Sequence, residues 1–594
     1  MEKPSLENTS DQDRLLNSIV QEVIRESHID PALLLPEDVE YIRQHVLKKP
    51  LRAIHIWSLG VGVVITGEYF GWNFGLPVAG PIGMLIASLI VCGLYLTWVL
   101  GLSELSVAMP FAGGPMAYGR RALGRGFGFL MGWSMFLECL FAAIGTALAT
   151  GGYVAFLLNP DHPDPLTTTI SAILCVLLFL VVQYIGVKEQ AVITLWLTYA
   201  AIGALVWFWI AAIPGVSLAR ILTKPLLPGG WAGVLGAVPY ALWWLVMIET
   251  VALASEEAHE PHISIPKGLV LAQITLVILV VLTWFFVCAA APYQEAGAVV
   301  YPLPLVFKKV WGTGWFLQTF SAVALAGMVV SYCAMLYATS RQLFSLGRAG
   351  YVPRALGTVH STRRTPGVSL IVCTVIAICF IVFGHFQEQA TAISILISTL
   401  TAVIWYILAM TCLLVLRRRE PRLFRSYQSP VFPWLIIFVG LLSAFAGYLY
   451  VWVNVQVILP TMLLYAAAGI WYGLWGRHHV LTTAPEEVAA RIAQKMSERD
   501  RGTPAAVVPN APSPKRIVDY ITAAVLLAGL LSLVWMVARA SHAIPGPPAN
   551  AEILSVGGIW VLLFILVSIV GYRSTLKKQH PGPLDANLKS RSIS

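Results

Sequence analysis

Charge is what this sequence has least of. Asp, Glu, Lys and Arg make up 12% of its 594 residues, about half the share in an ordinary soluble domain. Hydrophobic residues reach 57% and the mean hydropathy is +0.75. That leaves too little polar material to cover a water-soluble fold of this length, so lipid must be the solvent for much of the chain. The eight cysteines lie in apolar runs and form no CxxC or Cys/His cluster, which excludes a disulfide framework and a zinc site. No Walker motif is present, which excludes direct ATP coupling, and no Ser-His-Asp or phosphate-cradling constellation supports an enzyme. Catalytic residues, metal ligands and cofactors are therefore not assigned, and the small coupling ion expected is H+ or Na+. The first 50 residues lack an apolar stretch behind a basic start, so no cleavable signal peptide is expected. Lys plus Arg exceed Asp plus Glu by 39 to 30, an excess that suits cytoplasmic loops better than nucleic acid.

What the sequence has is long apolar runs. A spanning helix needs ~20 mainly apolar residues, and by that measure there are about fourteen candidates. Their centres fall near Val64, Ile90, Phe141, Leu177, Ile202, Leu245, Val280, Leu325, Ile376, Ala402, Val439, Leu464, Val525 and Leu563. The expected fold is an all-α polytopic membrane protein. An even number of spans puts both termini on one side. Basic residues fix which side: Lys48, Lys49, Arg52, Arg120, Arg121, Arg125, Arg341, Arg348, Arg363, Arg364, five arginines between Arg417 and Arg425, Lys515, Arg516, Lys577 and Lys578 all flank one set of loops. The opposite loops carry only Arg220, Lys224, Lys308, Lys309 and Arg539. Both termini are therefore expected in the cytoplasm of a plasma (inner) membrane. The expected organisation is an N-terminal arm over 1–50, a core of about twelve helices over 51–475, a cytoplasmic linker over 476–516, two accessory helices over 517–573 and a tail over 574–594. The linker contains a stretch from Ala484 with Pro in the first turn and apolar residues at helical spacing, which suits a short amphipathic helix or a tether. The accessory pair has no embedded acid or base. It suits lipid contact or a homo-oligomer interface through Gly557-Gly558.

Ser58-Leu-Gly60-Val-Gly62-Val-Val-Ile-Thr66-Gly67-Glu68-Tyr69-Phe70-Gly71-Trp72 is too glycine-rich for an uninterrupted helix. A break near Ile65–Gly67 is expected, and broken helices at membrane depth survive where they line a cavity. Close packing through small residues is the competing account of Gly60 and Gly62.

Further on stand Glu104-Leu-Ser-Val-Ala-Met-Pro110-Phe-Ala-Gly113-Gly114-Pro-Met-Ala-Tyr118 and Gly124-Arg-Gly126-Phe127, then Pro239 to Glu249 followed by Ser255-Glu256-Glu257, Pro261 and Ile265-Pro266, then Ser340-Arg341 to Pro353 with Thr365-Pro366. In this order the four segments resemble the signature of the amino acid–polyamine–organocation permease superfamily, over residues about 50–475. Gly67-Glu-Tyr-Phe-Gly-Trp-Asn73-Phe-Gly and Ile248-Glu249 are most similar to its ethanolamine permease branch. The longer N-terminal arm and the last two spans have no counterpart there. The resemblance implies a LeuT-like inverted five-helix repeat whose first and sixth helices break around the substrate. Carried onto this chain, it implies a site of Ile65, Thr66, Gly67 and Glu68 at the first break, with Trp243, Trp244, Leu245, Ile248 and Glu249 around the second.

Read without any family, Glu68, Glu138 and Glu249 are acids inside apolar spans, where a charge costs ~3 kcal/mol or more. Glu138 serves either coupling or substrate, or is a neutral hydrogen-bonded packing residue. No Lys or Arg is expected at that depth. Acids without basic partners favour a cationic substrate, which Trp243 or Trp244 could also hold by cation–π contact. Ordinary lipid or interface packing is the default for the other tryptophans, and His55 suits a packed position better than a proton relay. The expected function is secondary transport of a small organic amine, with ethanolamine first and an amino acid as the alternative. A substrate sensor and a channel on the same fold are rivals; a channel would lack saturable counterflow and a sensor would bind without flux.

Overall fold

The computed structural model describes residues 51–481 apart from 111–112, 186, 361–364, 388, 425–426, 430–433 and 454. The expected N-terminal arm, the linker with its amphipathic stretch and the last two expected spans lie outside the described residues.

Apolar runs bounded by Gly, Pro or charged residues become helices because, in lipid, each backbone amide and carbonyl needs an internal partner. We number the principal helices α1 (Ala53–Val64), α2 (Thr66–Tyr69), α3 (Leu76–Ala108), α4 (Gly114–Leu123), α5 (Arg125–Leu158), α6 (Pro165–Ile185), α7 (Val187–Ala212), α8 (Gly230–Ala241), α9 (Pro261–Ala290), α10 (Trp315–Arg348), α11 (Gly367–Gly384), α12 (Ala390–Arg419), α13 (Trp434–Val453) and α14 (Val455–Trp471). Ten helical stretches among the described residues are long and apolar enough to cross a membrane. Of the first twelve expected centres, eleven lie in these helices, and Leu245 falls in an interruption. No strand occurs among the described residues; one isolated bridge joins Leu51 to Ala258.

Burial separates an inner set of helices from an outer one. In its most apolar window α5 is 89% buried, against 22% for α6. On α6, Leu166, Ile170, Leu174, Leu177, Leu178 and Val181 are exposed, a contiguous apolar face that only lipid or another helix can cover. The acids and most of the buried aromatics sit against the inner set.

The paired charged residues gather toward the helix ends and loops. Arg121 meets Glu420 at 2.6 Å, Arg417 meets Glu104 at 3.0 Å, and Arg341 meets Glu257 at 3.0 Å. These join α4 to the chain just after α12, α3 to the end of α12, and the segment after α8 to α10. Lys308 and Lys309 pair with Asp161 and Glu295 in other loops. Those pairs are half-exposed and contribute little. The Arg341–Glu257 pair differs: both side chains are 3% exposed or less, and Tyr337 donates a further hydrogen bond to Glu257 Oε1 at 2.7 Å.

Breaking a buried pair from one side leaves a charge without its counter-ion, which costs about 3–5 kcal/mol. Arg341→Met should therefore lower the thermal unfolding midpoint of the detergent-purified protein sharply, whereas Lys309→Met should barely move it. Equal midpoints for the two variants would show that the inner pair carries no special weight.

Candidate functional site

The first apolar span is interrupted twice. Helix α1 ends at Val64, Ile65 stands outside it, and α2 runs only from Thr66 to Tyr69. Phe70 is then fully extended and Gly71 takes φ 98°, a left-handed conformation that glycine adopts without strain. The first interruption is where the sequence placed it; the sharper turn at Phe70–Gly71 lies beyond the expected point.

Each interruption releases backbone groups, and named side chains take them up. In a continuous helix the Thr66 amide would donate to the Gly62 carbonyl. Here the Ser331 hydroxyl, from α10, stands between them: it accepts from Thr66 N at 3.1 Å and donates to Gly62 O at 2.7 Å. Tyr153 of α5 donates to the Tyr69 carbonyl at 2.8 Å. Asn73 accepts from the Gly71 amide at 2.8 Å and donates to the carbonyls of Ala296 and Val299 at 2.7 and 2.8 Å.

The second interruption follows α8. A short 310 turn covers Leu242–Trp244, and a longer 310 segment covers Ile248–Glu257. Between them Met247 has φ 82°, which is strained for a residue with a long side chain. Val246 N bonds back to Leu242 O, and among the described residues no backbone amide donates to the carbonyls of Trp243 or Trp244.

The two interruptions meet at Gly67. A Cβ there would lie 2.6 Å from Trp243 O and 3.1 Å from Trp244 O, so only glycine lets the two backbones approach this closely. Around this point Trp72 stacks on Trp244 with centroids 4.3 Å apart, and Phe70 meets Trp243 edge-on at 5.6 Å. Trp244 Nε1 donates to Ser88 at 2.9 Å. By contrast Thr66 Oγ1, Trp72 Nε1 and Trp243 Nε1 are buried with no hydrogen-bond partner among the described residues. Buried polar atoms are ordinarily paired, so each such atom needs an explanation.

The three acids do not converge on this point. Glu68 is fully buried, and neither carboxyl oxygen has a hydrogen-bond partner among the described residues. Thr283 of α9, whose hydroxyl is likewise without a hydrogen-bond partner among the described residues, faces it. Glu249 instead reaches α12, where Tyr406 donates to its Oε1, and it faces Glu138 of α5. Trp405 Nε1 donates to Glu138 Oε2 at 2.6 Å.

Of the nine residues expected to form the site, Gly67, Trp243 and Trp244 are brought together, flanked by Ile65 and Thr66. All nine are buried. Ile248 packs lower down, beside Gly60, and Glu249 belongs to a separate cluster with Glu138. Sequence reasoning did not single out Ser331, Tyr153, Tyr95, Trp405 or Tyr406. A lone Ser in α10 and a Trp-Tyr pair in α12 look like ordinary packing until the break opposite them is known. Asn73 lies within the motif from Gly67 to Gly75, and its role as a latch is not legible from that position.

Residues 54–473 match the family model described as amino acid permease. The chain is 26% identical over 433 residues to an uncharacterised transporter of Rhizobium meliloti (strain 1021), an alignment covering 72% of this chain and 92% of the relative. It is also 26% identical over 452 residues to the branched-chain amino acid permease BcaP of Bacillus subtilis (strain 168), covering 73% and 94%. It is 27% identical over 380 residues to the histidine permease HisP of Lactococcus lactis subsp. cremoris (strain MG1363), covering 60% and 78%.

Removing the Ser331 hydroxyl leaves the Gly62 carbonyl and the Thr66 amide without their bridge, at about 1–3 kcal/mol for each group. Ser331→Ala should lower the thermal midpoint of purified protein, while Ser321→Ala, on the same helix with no partner to lose, should not. If Ser331→Ala unfolds at the parental temperature, the hydroxyl does not hold the break.

Proposed function

The chain belongs to the amino acid permease family, and from that premise we propose that it is a secondary active transporter of a small neutral amino acid. The observation that carries this reading is the set of unfilled polar groups where the two interruptions meet. Carbonyls of Trp243 and Trp244 are acceptors suited to an ammonium group. The Thr66 hydroxyl and the indole N–H groups of Trp72 and Trp243 are donors suited to a carboxylate. Acceptors and donors side by side match a zwitterion, and the apolar Ile65 and Phe70 suit an apolar side chain. Two of the named relatives are permeases for amino acids, which agrees with this choice.

The mechanism is alternating access on a LeuT-like inverted repeat, with the two interrupted spans, α1–α2 and α8 with the unwound segment behind it, rocking against α5, α6, α10 and α11. Both termini face the cytoplasm, on the side where the arginine pairs gather. Rocking is favoured by the unwound segments, which have given up much of their internal hydrogen bonding and rely on side chains such as Ser331.

A simple amine such as ethanolamine is the second reading. It is favoured by the motif from Gly67 to Gly75 and by the partnerless carboxyl of Glu68. It loses ground because Glu249, expected beside the substrate, is engaged with Tyr406 and Glu138.

Uptake of labelled leucine into vesicles reconstituted with the purified protein separates the two. Leucine uptake should saturate and be inhibited by valine and isoleucine. Ethanolamine lacks the carboxylate, and losing its charged hydrogen bonds should weaken competition about tenfold to a hundredfold. Ethanolamine competing better than valine would overturn the amino acid reading in favour of the amine.

A further inference from the structure

We propose that Glu138 and Glu249 form a two-carboxyl site that holds one exchangeable proton and couples transport to a proton gradient. The proposal rests on the transporter reading above and goes beyond it by naming the coupling ion and its ligands.

The argument starts from which atoms have donors. Glu138 Oε2 accepts from Trp405 Nε1 at 2.6 Å, and Glu249 Oε1 accepts from the Tyr406 hydroxyl. Tyr406 in turn pairs with Tyr95 of α3 at 2.9 Å. Those protein donors are then used up. Glu138 Oε1 and Glu249 Oε2 remain buried without a hydrogen-bond partner among the described residues, and the two carboxyl groups face each other closely enough to interact. An ionised carboxyl group only accepts, so two that face each other lack a donor. A proton bound to one of them is that donor, as in paired carboxyls that share a single proton.

The surroundings supply no cation in its place. From α3 the pair is faced by Tyr95, and from α12 by Trp405 and Tyr406. From α5 itself comes Cys139, from α13 Tyr450 acting through Tyr95, and from α14 Tyr465. All of these are neutral groups, and neither carboxyl has an ion-pair partner among the described residues. Glu138 and Glu249 are both 0% exposed. Two negative charges in such a place, with no counter-ion, cost far more than a proton would.

Position gives the site its link to transport. Glu138 lies on α5, the most enclosed helix, held through its carbonyl by Ser398 at 2.9 Å. Glu249 follows the strained Met247 by two residues, on the unwound segment that also carries Trp243 and Trp244. Movement of that segment against α5 and α12 separates the carboxyls and takes away the proton's second ligand. The proton taken from one solution is then released to the other as the substrate passes, one per cycle, and no other reactant is consumed.

Two measurements test this on the full-length protein. With membrane voltage clamped, a gradient of one pH unit should drive about tenfold accumulation of leucine with one proton per substrate. A sodium gradient at equal pH should drive none. Glu138→Gln should abolish the pH-driven accumulation. Infrared difference spectra of purified protein, which need no flux, should show a protonated carboxylic acid band in the parent that is lost in Glu138→Gln and kept in Glu138→Asp. Absence of that band in the parent, accumulation driven by sodium alone, or pH-driven accumulation surviving in Glu138→Gln would each overturn the proposal. Failure of the parent to exchange labelled for unlabelled leucine would instead overturn the neutral amino acid reading, and the infrared band would still decide whether the pair holds a proton.

Discussion

The hydrogen bond that Ser331 makes across the gap between Gly62 and Thr66 is the contact on which the arrangement depends. A helix that stops inside lipid exposes amides and carbonyls that water cannot reach, and each costs free energy until something pairs with it. Ser331, Tyr153 and Asn73 pair the groups released by the first interruption. The ones released by the second, at Trp243 and Trp244, face Gly67 with no amide to receive. One break is thereby satisfied and held, and the other is left with capacity for a ligand. This asymmetry is what supports the proposal that the crossing point binds substrate.

The acids divide along the same line. Glu68 remains at the first interruption, enclosed and without a partner. Glu138 and Glu249 are drawn into a cluster with Trp405, Tyr406 and Tyr95 on the other side of the unwound segment. A carboxyl held by an indole and a phenol is not free to bind an ammonium group. The groups left for the proposed substrate are backbone carbonyls and indole N–H groups, which suit a zwitterion better than a cation.

Much of this was legible in the sequence, for physical reasons. Apolar runs of spanning length fix helices almost by themselves, and eleven of the twelve centres expected across residues 51–481 fall within helices, Leu245 lying in the second interruption. A glycine-rich run between Gly60 and Gly71 announces an interruption because glycine is a poor helix former. The sharper turn at Phe70–Gly71 was not visible, since its left-handed glycine looks like any other in that run. Contacts between distant spans were also out of reach. Nothing in Trp405-Tyr406 says that it lies beside Glu138 and Glu249, and nothing in Ser331 says that it faces Gly62. That Glu249 faces Glu138 was out of reach for the same reason: helical periodicity gives a face, and only packing says what the face meets.

The central claim, that substrate sits where the two interruptions meet, is tested most directly at Thr66. In a background with the eight native cysteines replaced, Thr66→Cys would be alkylated by a small membrane-impermeant thiol reagent as the protein cycles open. Saturating leucine should protect this thiol and should leave a cysteine introduced at Ser321, on α10, unaffected. Labelling of the introduced thiol at position 66 that proceeds equally fast with and without every solute the protein transports would contradict the account.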